Sequence, residues 1–135
     1  MSGLVVVSEN GQGRYQQEVR AGQHRLIADE PASMGGADAG PAPFDFLMSG
    51  LGACTSMTLR MYAERKELPL TKISVELSHE KIELDGIKRD RISRRLHLTG
   101  ALSPEQRQRL LDIAGKCPVH KALSGSIDLP CELAD

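Results

Sequence analysis

The sequence around one of the three cysteines, Cys117, favours an ionised thiol. Cys117 directly precedes Pro118, and proline is preferred at the first position of a helix. At a helix N-terminus, the unpaired backbone N–H groups and the helix dipole stabilise a thiolate. Lys116, His120 and Lys121 add positive or titratable groups nearby. The pattern fits either a reactive thiol or a cysteine that merely begins a helix.

The other two cysteines have weaker local signals. Cys54 lies in a largely apolar stretch, residues 41–67, where a cysteine is most often core packing. If folding brings Cys117 beside it, two thiols in an intracellular α+β domain indicate redox chemistry rather than a structural role. Cys131 lies on a predicted edge strand close to the C-terminus, and we interpret it as a bystander.

The composition of the 135-residue chain indicates one domain with its own core, occupying residues 1–135. The net charge of −1 gives no reason to expect nucleic acid or an acidic membrane as a partner. No apolar run approaches the ~20 residues of a membrane span, and no basic region near the N-terminus indicates a signal peptide. The odd number of widely spaced cysteines argues against a secreted disulfide scaffold. We therefore expect a cytoplasmic protein.

A long helix is predicted from Phe44 to about Lys66, because nothing after Pro43 forbids a helix until Pro69. Such a helix would be ~33 Å long, the width of a small domain. Five residues at successive spacings of four, three, four and three are predicted to lie on one face of this helix: Leu47, Leu51, Cys54, Thr58 and Met61. We interpret it as a buried central helix around which the rest of the chain folds.

The segments on either side of this helix predict strands and two shorter helices. Before the helix, strands are expected at residues 4–7, 14–20 and 24–28, followed by a glycine- and proline-rich loop. After the helix, a hairpin is expected with its turn at residues 84–86.

The next helix has Ser103 as its cap and is expected to end at Gly115 in the left-handed conformation. A short helix from Pro118 and an edge strand at residues 126–133 complete the chain. The order predicts an α+β fold, with the helices against an antiparallel sheet.

Three segments resemble the OsmC/Ohr family of osmotically inducible and organic hydroperoxide resistance proteins. They are GPAPFDFL at residues 40–47, LGACT at 51–55 and KCPVH at 116–120. The resemblance covers nearly the whole chain from about Asp29 onward and is closer to the broad OsmC-like branch than to the dedicated hydroperoxide branch. It implies an intertwined homodimer, in which each subunit's sheet wraps the other and the long central helices lie in the middle.

The resemblance also implies a cofactor-free thiol peroxidase that serves in oxidative and osmotic stress defence. Cys54 matches the family's peroxidatic cysteine and Cys117 its resolving cysteine. In such a cycle the Cys54 thiolate attacks an organic hydroperoxide and becomes a sulfenic acid, and Cys117 then condenses with it to form a disulfide. A dithiol reductant, which in the hydroperoxide branch is a lipoylated protein, opens the disulfide by exchange.

The family places a glutamate after the loop proline and an arginine near the N-terminus, where they activate the first thiolate. Asp45 is the acid at that place here, although nine residues of an ideal helix put it on the opposite face from Cys54. Its alternative role is a first-turn charge that interacts with the helix dipole. Arg14, Arg20 and Arg25 are candidates for the arginine, and Arg14 is favoured.

Three functions stay open at this point. The leading hypothesis is a peroxidase for organic hydroperoxides, whose apolar tail would suit a lining of Phe44, Phe46, Leu47 and Met48. A dithiol protein with another partner, such as a disulfide reductase or a redox sensor, would use the same two cysteines. A dimer that binds a small apolar ligand would use neither of them.

Overall fold

The computed structural model describes residues 3–134, which form two compact units at residues 3–47 and 48–134. Strands and helices follow one another as an α+β chain with antiparallel sheets, as the sequence predicts. The assignment of residues 1–135 to a single domain stays a prediction. Within residues 3–134, no helix combines the length and the apolar character that crossing a membrane requires.

The first unit contains a three-stranded antiparallel sheet of β1 (Val5–Glu9), β2 (Gln17–Ala21) and β3 (His24–Ala28). The turn between β2 and β3 places Gly22 at φ 62°, a left-handed conformation that glycine adopts without steric cost. β2 and β3 therefore form a hairpin. β2 begins later than the strand predicted at residues 14–20, since residues 11–15 form a series of bends.

The glycine- and proline-rich loop after β3 is held by the carboxylate of Asp29. One carboxylate oxygen accepts a hydrogen bond from the backbone N–H of Glu30 at 2.8 Å. The other oxygen accepts from the N–H groups of Ala37 at 3.2 Å and Ala39 at 3.1 Å. A buried carboxylate with three backbone donors gives this loop a defined conformation although it has little regular structure. The sequence analysis did not single out Asp29.

Two glycines allow the loop to fold this tightly. A Cβ atom on Gly36 would lie 2.0 Å from the carbonyl oxygen of Glu30, and one on Gly40 would lie 2.1 Å from the carbonyl oxygen of Ile27. Any larger residue would therefore displace the backbone.

The second unit contains most of helix α1 (Pro43–Arg65), which begins in the first unit, and the strands β4 (Leu70–Leu84) and β5 (Ile87–Gly100). The two strands pair antiparallel along their whole length, apart from a bulge near Leu70. The two-residue turn between them has positive φ angles at Asp85 and Gly86, which is the geometry that tight hairpins prefer.

The buried side of α1 differs from the predicted stripe. Its buried positions are Leu51, Gly52, Thr55, Leu59 and Ala63, which recur mainly every four residues. Met61, which was predicted to share the buried stripe, is 61% exposed. The prediction was wrong because spacing selects a face only when one side of the helix is clearly polar, and α1 is apolar around most of its circumference.

The core of the second unit lies between α1, the β4–β5 hairpin and α2 (Pro104–Ala114). Its buried members are Leu59, Ala63, Leu70, Leu110, Ile113 and Ala114. Ser103 and Gln106 form the predicted capping box at the start of α2, with bonds of 3.1 Å and 2.9 Å between side chain and backbone. This cap fixes where α2 begins.

Two predictions for the C-terminal part were wrong. Gly115 ends α2 with φ −75°, a right-handed rather than a left-handed conformation, since the backbone continues turning through Lys116 towards α3 (Pro118–Ser124). Residues 126–134 have no regular secondary structure where an edge strand was expected. A strand needs a neighbour to supply its hydrogen bonds, and no strand of the described chain pairs with this segment.

Two adjacent leucines on α2 test this description of the core. Leu110 is 0% exposed and Leu111 is 55% exposed. Leu110→Ala is expected to lower the free energy of unfolding by about 3 kcal/mol, because it leaves a cavity in the core. Leu111→Ala should change it by less than about 0.5 kcal/mol. Urea denaturation of both variants measures the difference, and equal losses would contradict the assigned core.

Asp29 gives the first unit a pH-dependent contribution to stability. The backbone N–H of Ala39 is the main cause that lowers the pKa of the Asp29 carboxyl, against the opposing effect of burial. A lowered folded-state pKa means that the stabilisation is complete above the ordinary value of about 3.9 and is lost as pH falls through the folded value.

Asp29→Ala should therefore lower the melting temperature most at neutral pH, and the difference from the unchanged protein should shrink below about pH 4. Glu30→Gln, which neutralises the neighbouring carboxylate, serves as the control and should show no such profile. Thermal unfolding followed by circular dichroism over this pH range provides the measurement. If the melting temperature of Asp29→Ala is lowered by the same amount at every pH, the proposed role of the carboxylate is contradicted.

Candidate active site

Two cysteines from different helices lie together in the second unit. Cys54 projects from the middle of α1 and is half-buried, whereas Cys117 is 0% exposed at the start of α3. The two thiols are close enough to perturb each other's pKa, with Cys54 as hydrogen-bond donor towards the Cys117 sulfur. Both are free thiols. The proximity that sequence spacing could not establish is therefore a property of the fold.

Cys117 is the N-cap of α3, as predicted. Its Sγ accepts a hydrogen bond from the backbone N–H of His120 at 3.4 Å, and Pro118 occupies the first position of the helix. The first turn carries no acidic side chain. The sulfur thus takes the place that a serine or aspartate oxygen usually takes at a helix start.

The two thiols have unequal acidity. Burial alone would raise the pKa of Cys117, but the Cys54 thiol, the N–H groups of His120 and Val119 and the Thr55 hydroxyl together hold that pKa below its usual range. Burial raises the pKa of Cys54, and so does its interaction with Cys117. The Cys117 thiol therefore loses its proton more readily than the Cys54 thiol.

Thr55 and Arg94 form the polar surroundings of this pair. The Thr55 hydroxyl is fully buried and donates to the carbonyl oxygen of Leu51 at 2.7 Å. Its oxygen accepts a hydrogen bond from Nη1 of Arg94 at 2.9 Å, and the same nitrogen donates to the carbonyl oxygen of Ala114 at 3.2 Å. One guanidinium group of β5 therefore contacts α1 and the end of α2.

Arg94 also fixes the tautomer of His120. Its Nη2 lies 2.6 Å from Nδ1 of His120. Arginine can only donate, so Nδ1 must be the acceptor and the proton of the neutral imidazole lies on Nε2. The first turn of α3 is thereby tied to β5, and the backbone N–H of His120 is held in place towards Cys117.

A cavity of about 380 Å³ adjoins this network through Arg94 and His120, which line one part of it. The remaining wall is mixed, and neither thiol lines it. Its aliphatic members are Leu51, Ile82, Leu84, Ile92 and Leu123, and its charged or polar members are Arg89, Asp90, Arg91 and Ser124. The volume is within the range of small-molecule sites, and the lining combines apolar walls with a few hydrogen-bond donors.

Comparison with known families matches residues 35–132 to the model described as OsmC-like protein. The chain belongs to this OsmC-like family. The match includes both cysteines of the thiol pair and the residues that surround them. Among curated proteins, no match to this chain is found.

Solved structures share the OsmC-like fold at low sequence identity. An OsmC like protein from Mycoplasma pneumoniae is 23% identical, with a TM-score of 0.72 over 90% of this chain and 85% of that chain. An organic hydroperoxide resistance protein OsmC from Legionella pneumophila is 20% identical, with a TM-score of 0.68 over 93% of both chains. An organic hydroperoxide resistance protein from Elizabethkingia anophelis is 18% identical, with a TM-score of 0.67 over 95% of this chain and 93% of that chain.

The other two residues predicted for the site, Asp45 and Arg14, belong to the unit of residues 3–47. Asp45 accepts a hydrogen bond from the backbone N–H of Ala42 at 3.0 Å, so it has the structural role at the helix start that the sequence offered as an alternative. The Arg14 guanidinium lies 5.0 Å from the centre of the Tyr15 ring. Activation of Cys54 by either residue stays a prediction.

Sequence reasoning missed Thr55 and Arg94, although both carried a signal. Thr55 stands inside the LGACT segment beside Cys54. Arg94 occupies an inward position of β5, in the row of Ile92, Leu96 and Leu98. A charged residue at an inward position of an otherwise apolar row is unusual and indicates a buried polar partner.

The remaining cysteine and two strand histidines lie apart from this network. Cys131 is exposed in the C-terminal segment. His79 pairs with Asp90 at 2.8 Å, and His97 pairs with Glu76 at 2.7 Å. Within the part of the chain that the structure describes, no group of three or more potential ligands could hold a metal ion.

Replacing Cys54 in two ways tests the hydrogen bond between the thiols. Cys54→Ala removes the donor, whereas Cys54→Ser keeps an O–H group in its place. With Cys131→Ser present, so that Cys117 is the only thiol, we expect a higher pKa for Cys117 in the alanine variant and about tenfold less thiolate at a fixed pH below the midpoint. Ultraviolet absorbance of the thiolate measures both. Identical titrations would rule out the shared hydrogen bond.

Proposed function

We propose that this protein is a thiol peroxidase that reduces organic hydroperoxides to alcohols through Cys54 and Cys117. The observation that carries the proposal is a pair of neighbouring free thiols, one half-buried on α1 and one fully buried at the start of α3. The names of the Legionella and Elizabethkingia proteins, which share the fold, agree with this substrate class.

In the first step the half-buried Cys54 is the nucleophile. Its proton passes to Cys117, to which it is already directed, and the Cys54 thiolate attacks the terminal oxygen of the hydroperoxide. An S–O bond forms, the O–O bond breaks, and its electron pair leaves on the alkoxide. The alkoxide takes the proton from Cys117 and departs as the alcohol. Cys54 is now a sulfenic acid, and Cys117 is again a thiolate.

In the second step Cys117 resolves the sulfenic acid. Its thiolate attacks the Cys54 sulfur, a disulfide forms, and hydroxide leaves and becomes water with a proton from solvent. The N–H groups of His120 and Val119 and the Thr55 hydroxyl support the negative charge on Cys117 until this attack. A dithiol reductant, by resemblance to the hydroperoxide branch a lipoylated protein, restores both thiols by exchange.

We assign the tail of an organic peroxide to the cavity beside Arg94 and His120, which neither thiol lines. Its aliphatic wall would lower the free energy of an apolar tail on transfer from water, by about 25 cal/mol for each Å² buried. Hydrogen peroxide gains nothing from such a wall. The prediction of Phe44, Phe46, Leu47 and Met48 as a lining for the tail stays part of the proposal.

The proposal includes the remaining features that the family resemblance implies. The protein acts as a homodimer in the cytoplasm, without a cofactor, and Asp45 and Arg14 assist the first thiolate. Met57 and Met61 are 60% and 61% exposed on α1, which favours a partner for this helix.

The cycle is tested by counting free thiols in the reduced protein before and after stoichiometric cumene hydroperoxide. The unchanged protein and Cys131→Ser should each lose two thiols rapidly. Cys54→Ser should lose none at that rate, and Cys117→Ser should accumulate a sulfenic acid that a dimedone-type reagent captures. Cys131→Ser is the matched control, because it removes a thiol outside the pair.

Other results would redirect the assignment. If the thiols of the unchanged protein survive excess hydroperoxide for many minutes, the peroxidase proposal fails. Rapid reaction with protein disulfides in the same preparation would then favour a disulfide reductase that uses the same pair. Resistance to both reagents would favour a dimer that binds an apolar ligand.

A further inference from the structure

Arg94 is a cation without a carboxylate partner in the described residues 3–134. It stands in the inward row of β5 between Ile92 and Leu96, and the groups it contacts are a hydroxyl, a carbonyl oxygen and a neutral imidazole. A partly buried charge normally has an opposite charge nearby, since desolvation is costly. Thr55 and His120, which Arg94 contacts, both interact with the Cys117 thiol, which can become an anion.

The Thr55 hydroxyl connects Arg94 to that thiol. Thr55 has a single hydroxyl hydrogen, which points to the Leu51 carbonyl at 2.7 Å but can instead turn towards the Cys117 sulfur. Because Arg94 donates to the hydroxyl oxygen at 2.9 Å, the hydroxyl must act as a donor to one of these two acceptors. When Cys117 loses its proton, the negative sulfur becomes the stronger acceptor, and the hydroxyl polarised by Arg94 can turn to it.

The His120 contact connects Arg94 to Cys117 by a second route. Nη2 of Arg94 holds the imidazole at 2.6 Å, and the backbone N–H of the same residue donates to the Cys117 sulfur at 3.4 Å. The guanidinium therefore keeps the first turn of α3 oriented so that its N–H groups face the sulfur.

We propose that Arg94 is a positioning residue for the Cys117 thiolate, which acts through the Thr55 hydroxyl and through the first turn of α3. The inference deepens the proposed function, because it explains how a thiolate at the resolving cysteine is stabilised. It assigns the role to a residue of β5, whereas the arginine expected from the family resemblance lies near the N-terminus and serves the other cysteine.

The test titrates Cys117 alone, in a protein that carries Cys54→Ser and Cys131→Ser. Arg94→Met keeps the apolar stem and removes the donors, and we expect about tenfold less thiolate at a fixed pH below the midpoint. Arg94→Lys keeps the charge but not the planar set of donors, so its thiolate fraction should lie between those of the parent protein and Arg94→Met. Arg91→Ala is the matched control, since Arg91 is on the same strand, is 48% exposed and forms an ion pair with Glu80 at 3.8 Å.

Thr55→Val tests the hydroxyl route and leaves the other contacts of Arg94 in place, so it remains informative if Arg94→Met fails to fold. Thr55→Val should reduce the thiolate fraction several-fold. In the variant that carries both Thr55→Val and Arg94→Met, the fold reduction should be smaller than the product of the two separate fold reductions. The inference is overturned if folded Arg94→Met titrates like its parent, or if Arg91→Ala shifts the titration as much. If the fold reduction in the double variant equals the product of the two separate fold reductions, the route through the hydroxyl is overturned.

The titration needs no peroxide, so its outcome is separate from that of the proposed function. If hydroperoxide leaves the thiols intact but Arg94→Met raises the pKa of Cys117, the peroxidase proposal fails and the role of Arg94 stands. If hydroperoxide oxidises the pair but Arg94→Met leaves the pKa of Cys117 unchanged, the peroxidase proposal stands and only the role of Arg94 is wrong.

Discussion

The second unit depends on one guanidinium group that joins three helices to a strand. Arg94 extends from β5 and donates hydrogen bonds to Thr55 on α1, to the last carbonyl of α2 and to His120 on α3. These contacts determine the distance between the middle of α1 and the start of α3, which are the two places that carry Cys54 and Cys117. An apolar residue at this position would pack equally well in the row of Ile92 and Leu96, but it could not orient the three helices.

The electrostatics of the thiol pair follow from this arrangement. Burial disfavours a charge on either sulfur, so a thiolate forms only where enough donors converge. Cys117 has the backbone N–H groups of α3, the Thr55 hydroxyl and the Cys54 thiol, whereas the donors around Cys54 are fewer. The pKa of the buried sulfur is therefore lowered, whereas the pKa of the sulfur with access to solvent is raised. Sharing one proton lets the pair provide a nucleophile at one position and a stabilised anion at the other.

Local signals predicted much of the fold correctly. The long helix, the hairpin around Asp85 and Gly86, the Ser103 capping box and Cys117 at the start of α3 each depend on residues that are adjacent in the chain. The errors concern features that depend on distant residues. The buried face of α1 is selected by what packs against it, and a strand at residues 126–134 would need a neighbour that the described chain does not provide.

The sequence by itself determined the family, the two cysteines and the tendency of Cys117 to ionise, because motifs and helix caps are encoded over a few neighbouring residues. Only the tertiary structure decided that Cys54 and Cys117 meet, that Cys117 is the more acidic thiol and that Arg94 and Thr55 surround them. These facts join residues that are distant in the sequence: Cys54 and Cys117 are 63 positions apart, and Arg94 and Thr55 are 39 positions apart. Spacing along the chain carries no information about such pairs until the strands and helices between them have packed.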